Sequence, residues 1–257
     1  VPSQLLKLLQ ATGGILVGSY PGLGIYRVRL PQGSDVPGLV EGIQKRDGAG
    51  TAEPNYAYPV PPGPKDLDFS MMRFSSADAG FQPDTTPIAV IDSGLRADAG
   101  VDKFVLASLD ALNPDKALSD SGGHGTQMAL IAAGLVKPMG VNEDSVAQTL
   151  IIPIKAFDEN GFTSNVLLME SLDFALEHGA RVMSLSWGSE TKSEFLSEAL
   201  ESASSKGLII VASVGNEPTG EPLYPAAYPA VIGVGALAPD GKAWEKSNRG
   251  DFVDLYA

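Results

Sequence analysis

Cysteine is absent from all 257 residues, which excludes disulfides, thiolate catalysis and cysteine-ligated metals. Long apolar runs are absent too, since runs such as residues 207–212 fall far short of the roughly 20 residues that a membrane-spanning helix needs. Basic residues are scarce, with 18 against 31 acidic ones, and the net charge of −13 disfavours a nucleic acid partner. With 44% hydrophobic residues, the chain is expected to be a globular protein with no membrane span and no nucleic acid partner.

The first 58 residues have the pattern of a small α+β domain. Apolar residues at helical spacing begin at Leu5, and a second helix is predicted over residues 36–45. Two strands, over residues 14–20 and 24–30, are joined by Pro21-Gly22, a pair that suits a tight turn. Prolines then crowd residues 59–64 and favour an extended connector, so we place a linker at residues 59–66 and a second domain at residues 67–257.

In the second domain, short β-branched segments alternate with helical patterns. Strands are predicted over residues 88–91, 149–155, 182–186, 208–213 and 231–236. Helices are predicted over residues 124–135, 164–177 with Ser164 as N-cap, and 194–205. This alternation, with strands apolar throughout, predicts an α/β fold with a doubly wound, mostly parallel sheet. Ligands bind such sheets at the carboxyl ends of the strands.

Two residues of the second domain can carry acid–base chemistry, one after a predicted strand and one at the start of a predicted helix. Asp92 directly follows the apolar strand 88–91, where a turn presents its carboxylate; for a lone Asp-Ser-Gly, a capping role would be the simpler interpretation. His124 begins a helical pattern between glycines, where the helix dipole favours the neutral imidazole that a general base requires. The alternative for His124 is a solvated helix start. The other histidine, His178, ends a helical pattern and is assigned a capping role.

Asn216 also follows an apolar strand, residues 208–213, at the same predicted edge of the sheet. Its side-chain amide could donate to an oxyanion, although an isolated asparagine there would more simply be a turn residue. The agreement of these three polar residues favours a catalytic site.

The segments around these residues resemble the motifs of the subtilisin family of serine peptidases. Residues 90–94 are similar to its Asp motif, residues 123–126 to its His motif, and Gly215-Asn216 to its oxyanion motif. The 32 residues from Asp92 to His124 match the spacing in subtilisin, and the 92 from His124 to Asn216 exceed it by one. The similarity extends through most of residues 67–257.

The resemblance implies roles for these residues and a polypeptide substrate. Asp92 would orient the imidazole, His124 would act as base and then acid, and Asn216 would stabilise the tetrahedral intermediate. Residues of three further segments would bind the substrate, which adds as an extended strand. They are Ser186, Trp187, Gly188, Ser213, Val214, Gly215, Glu217 and Pro225. For Glu217, a preference for a basic side chain and a plain solvated acid are equally good interpretations.

The first domain resembles the family's intramolecular chaperone and inhibitor, a ferredoxin-like propeptide whose closing segment, residues 53–58, would lie in the active-site cleft. Its first strand is expected before Pro2, and the absent leader together with this resemblance implies secretion or a periplasmic location. No cofactor is required. Many family members hold structural calcium, but no loop here is specific enough to name, and residues 158–161 are interpreted as a plain turn.

The family's Gly-Thr-Ser nucleophile motif is not found in this sequence. The family spacing places that serine near residue 282, so we expect the chain alone to be inactive and its serine to come from a longer chain or a C-terminal fragment. The alternative is a non-catalytic scaffold that serves as a peptide-binding or inhibitory module. Tyr58-Pro59 is a poor cleavage site, so we expect the propeptide to stay attached or to be released near residues 65–69.

Overall fold

The structure of the chain is a computed structural model that describes residues 2–20, 24–45, 51–59, 84–136 and 148–257. It has two compact units, Val1–Tyr56 and Ala57–Ala257. The turn predicted at Pro21-Gly22, most of the predicted linker and the processing site near residues 65–69 lie outside the described residues. No described helix is long and apolar enough to cross a membrane.

The first unit contains two helices and a hairpin in the predicted order. Helix α1 (Ser3–Thr12) is followed by the antiparallel strands β1 (Ile15–Tyr20) and β2 (Ile25–Arg29) and by helix α2 (Val36–Gln44). Helix α2 begins where expected because the Asp35 side chain accepts a hydrogen bond from the Gly38 amide, at 3.0 Å. None of the unit's described residues is fully buried.

The second unit is built on a parallel sheet of seven strands. Its strands are β4 (Asp84–Asp92), β5 (Leu109–Asp110), β6 (Thr149–Lys155), β8 (Val182–Leu185), β9 (Ile209–Ser213), β10 (Ile232–Gly235) and β11 (Leu255–Tyr256). Their spatial order is β11-β10-β9-β8-β4-β6-β5, and every pairing is parallel. The order reverses beside β4, so the carboxyl ends of β4 and β8 flank the crevice where doubly wound sheets bind ligands.

Helices cover this sheet, and a short separate ribbon lies outside it. The helices are α3 (His124–Ala132), α4 (Asn165–Glu177) and α5 (Glu194–Ser205). The ribbon pairs β3 (Ala57–Pro59) antiparallel with β7 (Phe162–Ser164). Strand β6 is almost wholly buried, and Ala129, Leu130 and Ile151 are among the residues that join helix α3 to it in a common core. The α/β prediction with a doubly wound parallel sheet is confirmed.

Two local predictions were wrong, and a third was right in position only. Helix α3 ends at Ala132 and not at residue 135, because Gly134 has a left-handed φ of 70° and turns the chain. Ser164 occupies the N-cap position of helix α4, as predicted, but its side chain makes no cap hydrogen bond. Pro59, expected in the connector, is the last residue of strand β3.

Candidate active site

Asp92 is the last residue of the central strand β4, and only 1% of its surface is exposed. Its Oδ1 accepts a hydrogen bond from the Ser93 amide at 2.7 Å, so the turn after the strand fixes the carboxylate. The same oxygen lies 2.7 Å from Nδ1 of His124. The other oxygen, Oδ2, is buried and has no hydrogen-bond partner among the described residues.

His124 is the first residue of helix α3, after Gly123, whose φ of 75° brings the chain into the helix. Its side chain is 13% exposed. Burial lowers the pKa of His124, but the hydrogen bond to Asp92, the charge of Asp92 and the charge of Asp120 together outweigh it, so that the pKa lies above the ordinary value. With Nδ1 held by Asp92, the other ring nitrogen, Nε2, is left to exchange a proton with a reactant.

Asp120 is a member of this site that the sequence prediction missed. This carboxylate is 5% exposed and joins the loop after Asp92 to the start of helix α3. Its Oδ1 accepts hydrogen bonds from the Ser93 hydroxyl and the Gly123 amide, both at 2.9 Å. Its Oδ2 accepts from the amide and hydroxyl of Thr126, at 2.8 and 2.6 Å. The available signal was an acidic residue just before a helix N-terminus, where a carboxylate meets unpaired amides.

The two loops that carry Asp92 and His124 touch through their backbones. The Gly125 amide donates to the Ser93 hydroxyl at 2.9 Å. A Cβ on Gly125 would lie 2.5 Å from the Gly94 carbonyl oxygen and 2.7 Å from the Gly94 nitrogen, which is closer than a Cβ atom can approach a non-bonded backbone atom. The contact therefore requires glycine at position 125, and it holds the histidine at hydrogen-bonding distance from the aspartate.

Lys155 braces the same loop from the neighbouring strand. It ends strand β6 opposite Asp92, and its side chain is 5% exposed. Its Nζ donates to the Ser93 carbonyl oxygen at 3.0 Å. The loop after Asp92 is thus held by hydrogen bonds from two directions.

The predicted substrate edge, Ser186 to Gly188, directly follows strand β8, beside β4. Trp187 is 2% exposed, and its indole Nε1 donates to the Ile91 carbonyl oxygen at 3.2 Å. This bond ties the edge to the strand that carries Asp92. The indole also packs against the ring of Phe157, with the centroids 5.7 Å apart.

The side chain of Tyr58 packs beside Trp187. Tyr58, in the middle of β3 and opposite Thr163, is 1% exposed. Its ring lies 6.1 Å from that of Trp187, and its hydroxyl donates to Oδ1 of Asn165. The ribbon therefore pairs an extended segment with β7, and the central side chain of that segment is buried beside Trp187.

The third predicted segment follows strand β9, whose neighbour β8 runs parallel to it. Ser213 ends the strand and Val214 is buried, whereas Asn216 and Glu217 are exposed. The side chain of Asn216 makes no hydrogen bond to another residue in the described ranges. Since β4, β8 and β9 are adjacent and parallel, Asp92, Ser186 and Asn216 share one edge of the sheet, with neighbouring strands about 4.8 Å apart.

Pro225 belongs to a short segment, residues 224–225, that pairs with the chain after Gly188 and is here called the strap. The amides and carbonyls of Ser189 and Tyr224 form two reciprocal hydrogen bonds of 2.8 Å, which bring the strap beside Gly188. His178 lies elsewhere, at the end of helix α4, where its Nδ1 is 2.8 Å from the Phe174 carbonyl oxygen. It serves as a cap there, away from this edge.

No group of three or more Asp, Glu or His side chains in the described residues is arranged to hold a metal ion. Residues 158–161 form a turn in which Oδ1 of Asp158 accepts from the amides of Asn160 and Phe162, both at 2.9 Å. Calcium therefore remains an expectation from the family resemblance, with no residues assigned to it.

Known proteins are similar to this chain in sequence and in fold. A model of the subtilase family matches residues 84–257. The minor extracellular protease Epr of Bacillus subtilis is 31% identical over 181 residues, which cover 70% of this chain and 27% of that protein. A thermophilic serine proteinase of Bacillus sp. strain AK1 is 28% identical over 87% of this chain and 58% of its own length. The chain thus spans less than two thirds of the length of each of these relatives.

A solved structure supports the same fold. Fervidolysin from Fervidobacterium pennivorans matches 99% of this chain and 45% of its own, with a TM-score of 0.72 and 22% sequence identity. At that identity the likeness shows the fold alone.

Proposed function

This chain belongs to the subtilase family, and from that premise we propose that it carries the propeptide and the base-bearing part of the catalytic domain of a serine endopeptidase. The observation that supports this most strongly is the 2.7 Å contact between Nδ1 of His124 and the buried carboxylate of Asp92, at the carboxyl edge of the sheet. A buried carboxylate that fixes one ring nitrogen prepares the other to act as a base.

The proposed mechanism assigns one step to each group. Nε2 of His124 takes the proton of a serine hydroxyl that lies beyond residue 257, and the serine oxygen attacks the peptide carbonyl carbon. Asp92 stabilises the imidazolium, and the exposed amide of Asn216 donates to the oxyanion. The imidazolium then protonates the leaving amine, and the acyl-enzyme is hydrolysed by water that the same histidine activates.

Substrate binding is proposed to occur by strand addition along the segment 186–188. The ribbon of β3 and β7 supports this mode, since an extended segment of this chain already pairs beside Trp187 with its tyrosine buried. We interpret Tyr58 as the anchor of the propeptide's closing segment. The first unit would then be the inhibitor that this anchor holds, and a processing cut would have to follow it.

Labelling with a fluorophosphonate tests the proposed activity. The longer protein should carry a serine near residue 282 and, after propeptide removal, should be labelled at that serine. A protein that folds, is freed of its propeptide and is not labelled would be the non-catalytic, peptide-binding scaffold. Intact mass and N-terminal sequencing of the same preparation locate the processing cut, and a mature start at Pro59 would contradict the proposed cut near residues 65–69.

Substitution of the anchor tests the inhibitory role. Tyr58→Ala should shorten the lag before labelling begins, because the buried ring and its hydrogen bond are lost together, at about 3–5 kcal/mol. Tyr58→Phe keeps the packing and removes only the hydroxyl contact with Asn165, at about 1 kcal/mol, so its effect should be much smaller. Tyr256→Ala, at the exposed edge strand β11, is the matched control. An unchanged lag in Tyr58→Ala would reject the anchor.

Secretion is proposed on the same basis. The similar protease of Bacillus subtilis is named as extracellular, and the acidic, cysteine-free chain is compatible with that location. The activity, the substrate class and the partners, including a separate C-terminal fragment that could supply the serine, are proposals for the whole protein.

A further inference from the structure

The loop that carries Asn216, residues 215–221, leaves strand β9 and is exposed from residue 216 to its end. Packing therefore does little to fix its course. A donor that stabilises an oxyanion has to be held in position before the reaction, because reorientation during the reaction reduces the gain. The inference below rests on the proposed function, in which Asn216 is that donor.

Asn248 makes hydrogen bonds to both ends of this loop. Its backbone amide donates to the Gly215 carbonyl oxygen at 3.0 Å. Its Oδ1 accepts from the Gly220 amide at 3.0 Å, and its Nδ2 donates to the Glu221 carbonyl oxygen, also at 3.0 Å. Among the described residues, every hydrogen bond from the loop to a distant segment of the chain ends on this asparagine.

Asn248 is itself held firmly. It is 3% exposed, and its Oδ1 accepts a second hydrogen bond, from the Arg249 amide at 2.9 Å. The preceding residue, Ser247, is fully buried, and its hydroxyl accepts from the Ala236 amide, directly after strand β10, at 3.0 Å. Rotation of the Asn248 amide would leave buried polar groups without partners, so the side chain has one favoured orientation. The asparagine thus links the exposed loop to the sheet.

The bond to Gly215 acts directly on Asn216. The Gly215 carbonyl group and the Asn216 nitrogen belong to one planar peptide unit, so a hydrogen bond that fixes the oxygen also fixes the plane from which Asn216 starts. The two side-chain bonds hold the other end of the loop, at Gly220 and Glu221. The loop is therefore fixed at both ends, although its middle is open to solvent.

We propose that Asn248 is a positioning residue for the oxyanion donor. It sets the course of loop 215–221 and, through that loop, the direction of the Asn216 side chain. It acts on the reaction only through Asn216. Sequence patterns gave no indication of this role, because Asn248 lies 32 residues beyond the residue that it positions.

A double-mutant cycle on the longer protein, freed of its propeptide, tests this role with a peptide p-nitroanilide. Asn248→Ala should lower kcat by roughly 10- to 100-fold, the upper value being the loss that a misplacement of about 1 Å can cause. KM should change little, because the oxyanion exists only after attack on the carbonyl. In an Asn216→Ala background the same substitution should lower kcat by less than about twofold, since the group that Asn248 positions is gone.

A conservative variant serves if Asn248→Ala does not fold. Asn248→Asp keeps an acceptor for the Gly220 amide and loses only the donor to the Glu221 carbonyl oxygen. It should lower kcat less than Asn248→Ala does, and its effect should also disappear in the Asn216→Ala background.

Asp110→Ala is the matched control. Asp110 is also 3% exposed, and its Oδ1 accepts from the amides of Leu112 and Asn113, both at 3.0 Å, on strand β5 at the opposite end of the sheet from β9. This variant should lower the midpoint of urea unfolding and leave kcat nearly unchanged. Hydrogen exchange in peptides that cover residues 214–223 should become faster in Asn248→Ala and not in Asp110→Ala.

Two results would overturn the proposal: an unchanged kcat in Asn248→Ala, or an equal fold-loss of kcat with and without Asn216. Either result would make Asn248 a residue that only stabilises the fold. If the fluorophosphonate does not label the wild type, the proposed activity is rejected, and the role of Asn248 in it is rejected too. A labelled wild type with equal losses in both backgrounds rejects the role of Asn248 alone.

Discussion

The carboxyl edge of the sheet carries two sets of polar groups that are built differently. Asp92, His124 and Asp120 are largely buried, and hydrogen bonds join them through the loop between them. Asn216 and Glu217, two strand spacings or about 10 Å further along the same edge, are exposed. The groups that hydrogen-bond to one another are fixed by the fold, whereas the groups proposed to act on a substrate are open to solvent.

This difference separates the energetic consequences of substitution. In the buried set, a substitution should alter both stability and chemistry, because each side chain is a hydrogen-bond partner of other buried groups. In the exposed set, a change should alter chemistry alone. The three predictions below test this separation in order of decreasing effect.

The largest effect is expected for His124→Ala. Without the base, labelling and peptide cleavage by the longer protein should fall roughly 10⁴-fold or more, the size of loss seen when members of such a catalytic unit are removed. Initial rates with a peptide substrate measure it. His178→Ala, at the exposed end of helix α4, should leave the rate unchanged. A comparable loss in both variants would mean that global unfolding, and not the loss of the base, is responsible.

Asn216→Ala should lower kcat by roughly 10²–10³-fold, a magnitude taken from subtilisin itself, where the oxyanion donor is also an asparagine. Its midpoint of urea unfolding should not move, since the side chain is exposed and makes no hydrogen bond within the described part of the chain. Kinetics and urea denaturation on the same preparation decide the point. A clear loss of stability would break the proposed distinction between the two sets.

The smallest effect on rate is expected for Asp120→Asn, where the pH profile is the informative measurement. The charge of Asp120 helps to raise the pKa of His124, so its removal should lower that pKa. The base is active when neutral, and the acid limb of the activity profile should therefore move to lower pH. In the 257-residue chain the ring signals of His124 report the same shift by NMR, with His178 as the internal reference.

The stability of this variant also has a defined direction. Because the folded-state pKa of His124 is raised, its contribution is complete below the unfolded-state pKa and is lost as the pH rises through the folded-state value. Asp120→Asn should reduce that pH-dependent part. It should also lower stability at all pH values by about 2–3 kcal/mol, since four accepted hydrogen bonds lose their charged acceptor. If the pKa of His124 does not move, Asp120 acts only as a structural hydrogen-bond acceptor and its charge does not affect the histidine.

Much of the parallel sheet could be predicted from the sequence. Strand β6 was predicted with the bounds that the structure shows, because an apolar segment of that length between turns has few alternatives. Asp92 and His124 were predicted together from strand-end position and spacing, and the structure brings them to 2.7 Å. The placement of these residues follows from local pattern and parallel topology.

The missed features depend on contacts between distant residues. Strand β3 pairs with β7, and its Tyr58 is buried against Trp187, more than a hundred residues away in sequence. The prolines that follow Tyr58 predicted a connector, because the sequence does not indicate that contact. The two-residue strands β5 and β11 are too short to produce a periodic pattern. The position of Asp120 before a helix indicated a carboxylate near free amides, but nothing in its own segment indicated its contact with Ser93, 27 residues away.

The contact between Gly94 and Gly125 has a consequence for how this protein can evolve. An added Cβ at position 125 would clash with backbone atoms of Gly94, which has no side chain that could be made smaller. A second substitution therefore cannot relieve the clash, and the spacing of Asp92 and His124 cannot change in small steps. Lineages that descend from this sequence are therefore expected to keep glycine at position 125 and the Asp92–His124 spacing unchanged.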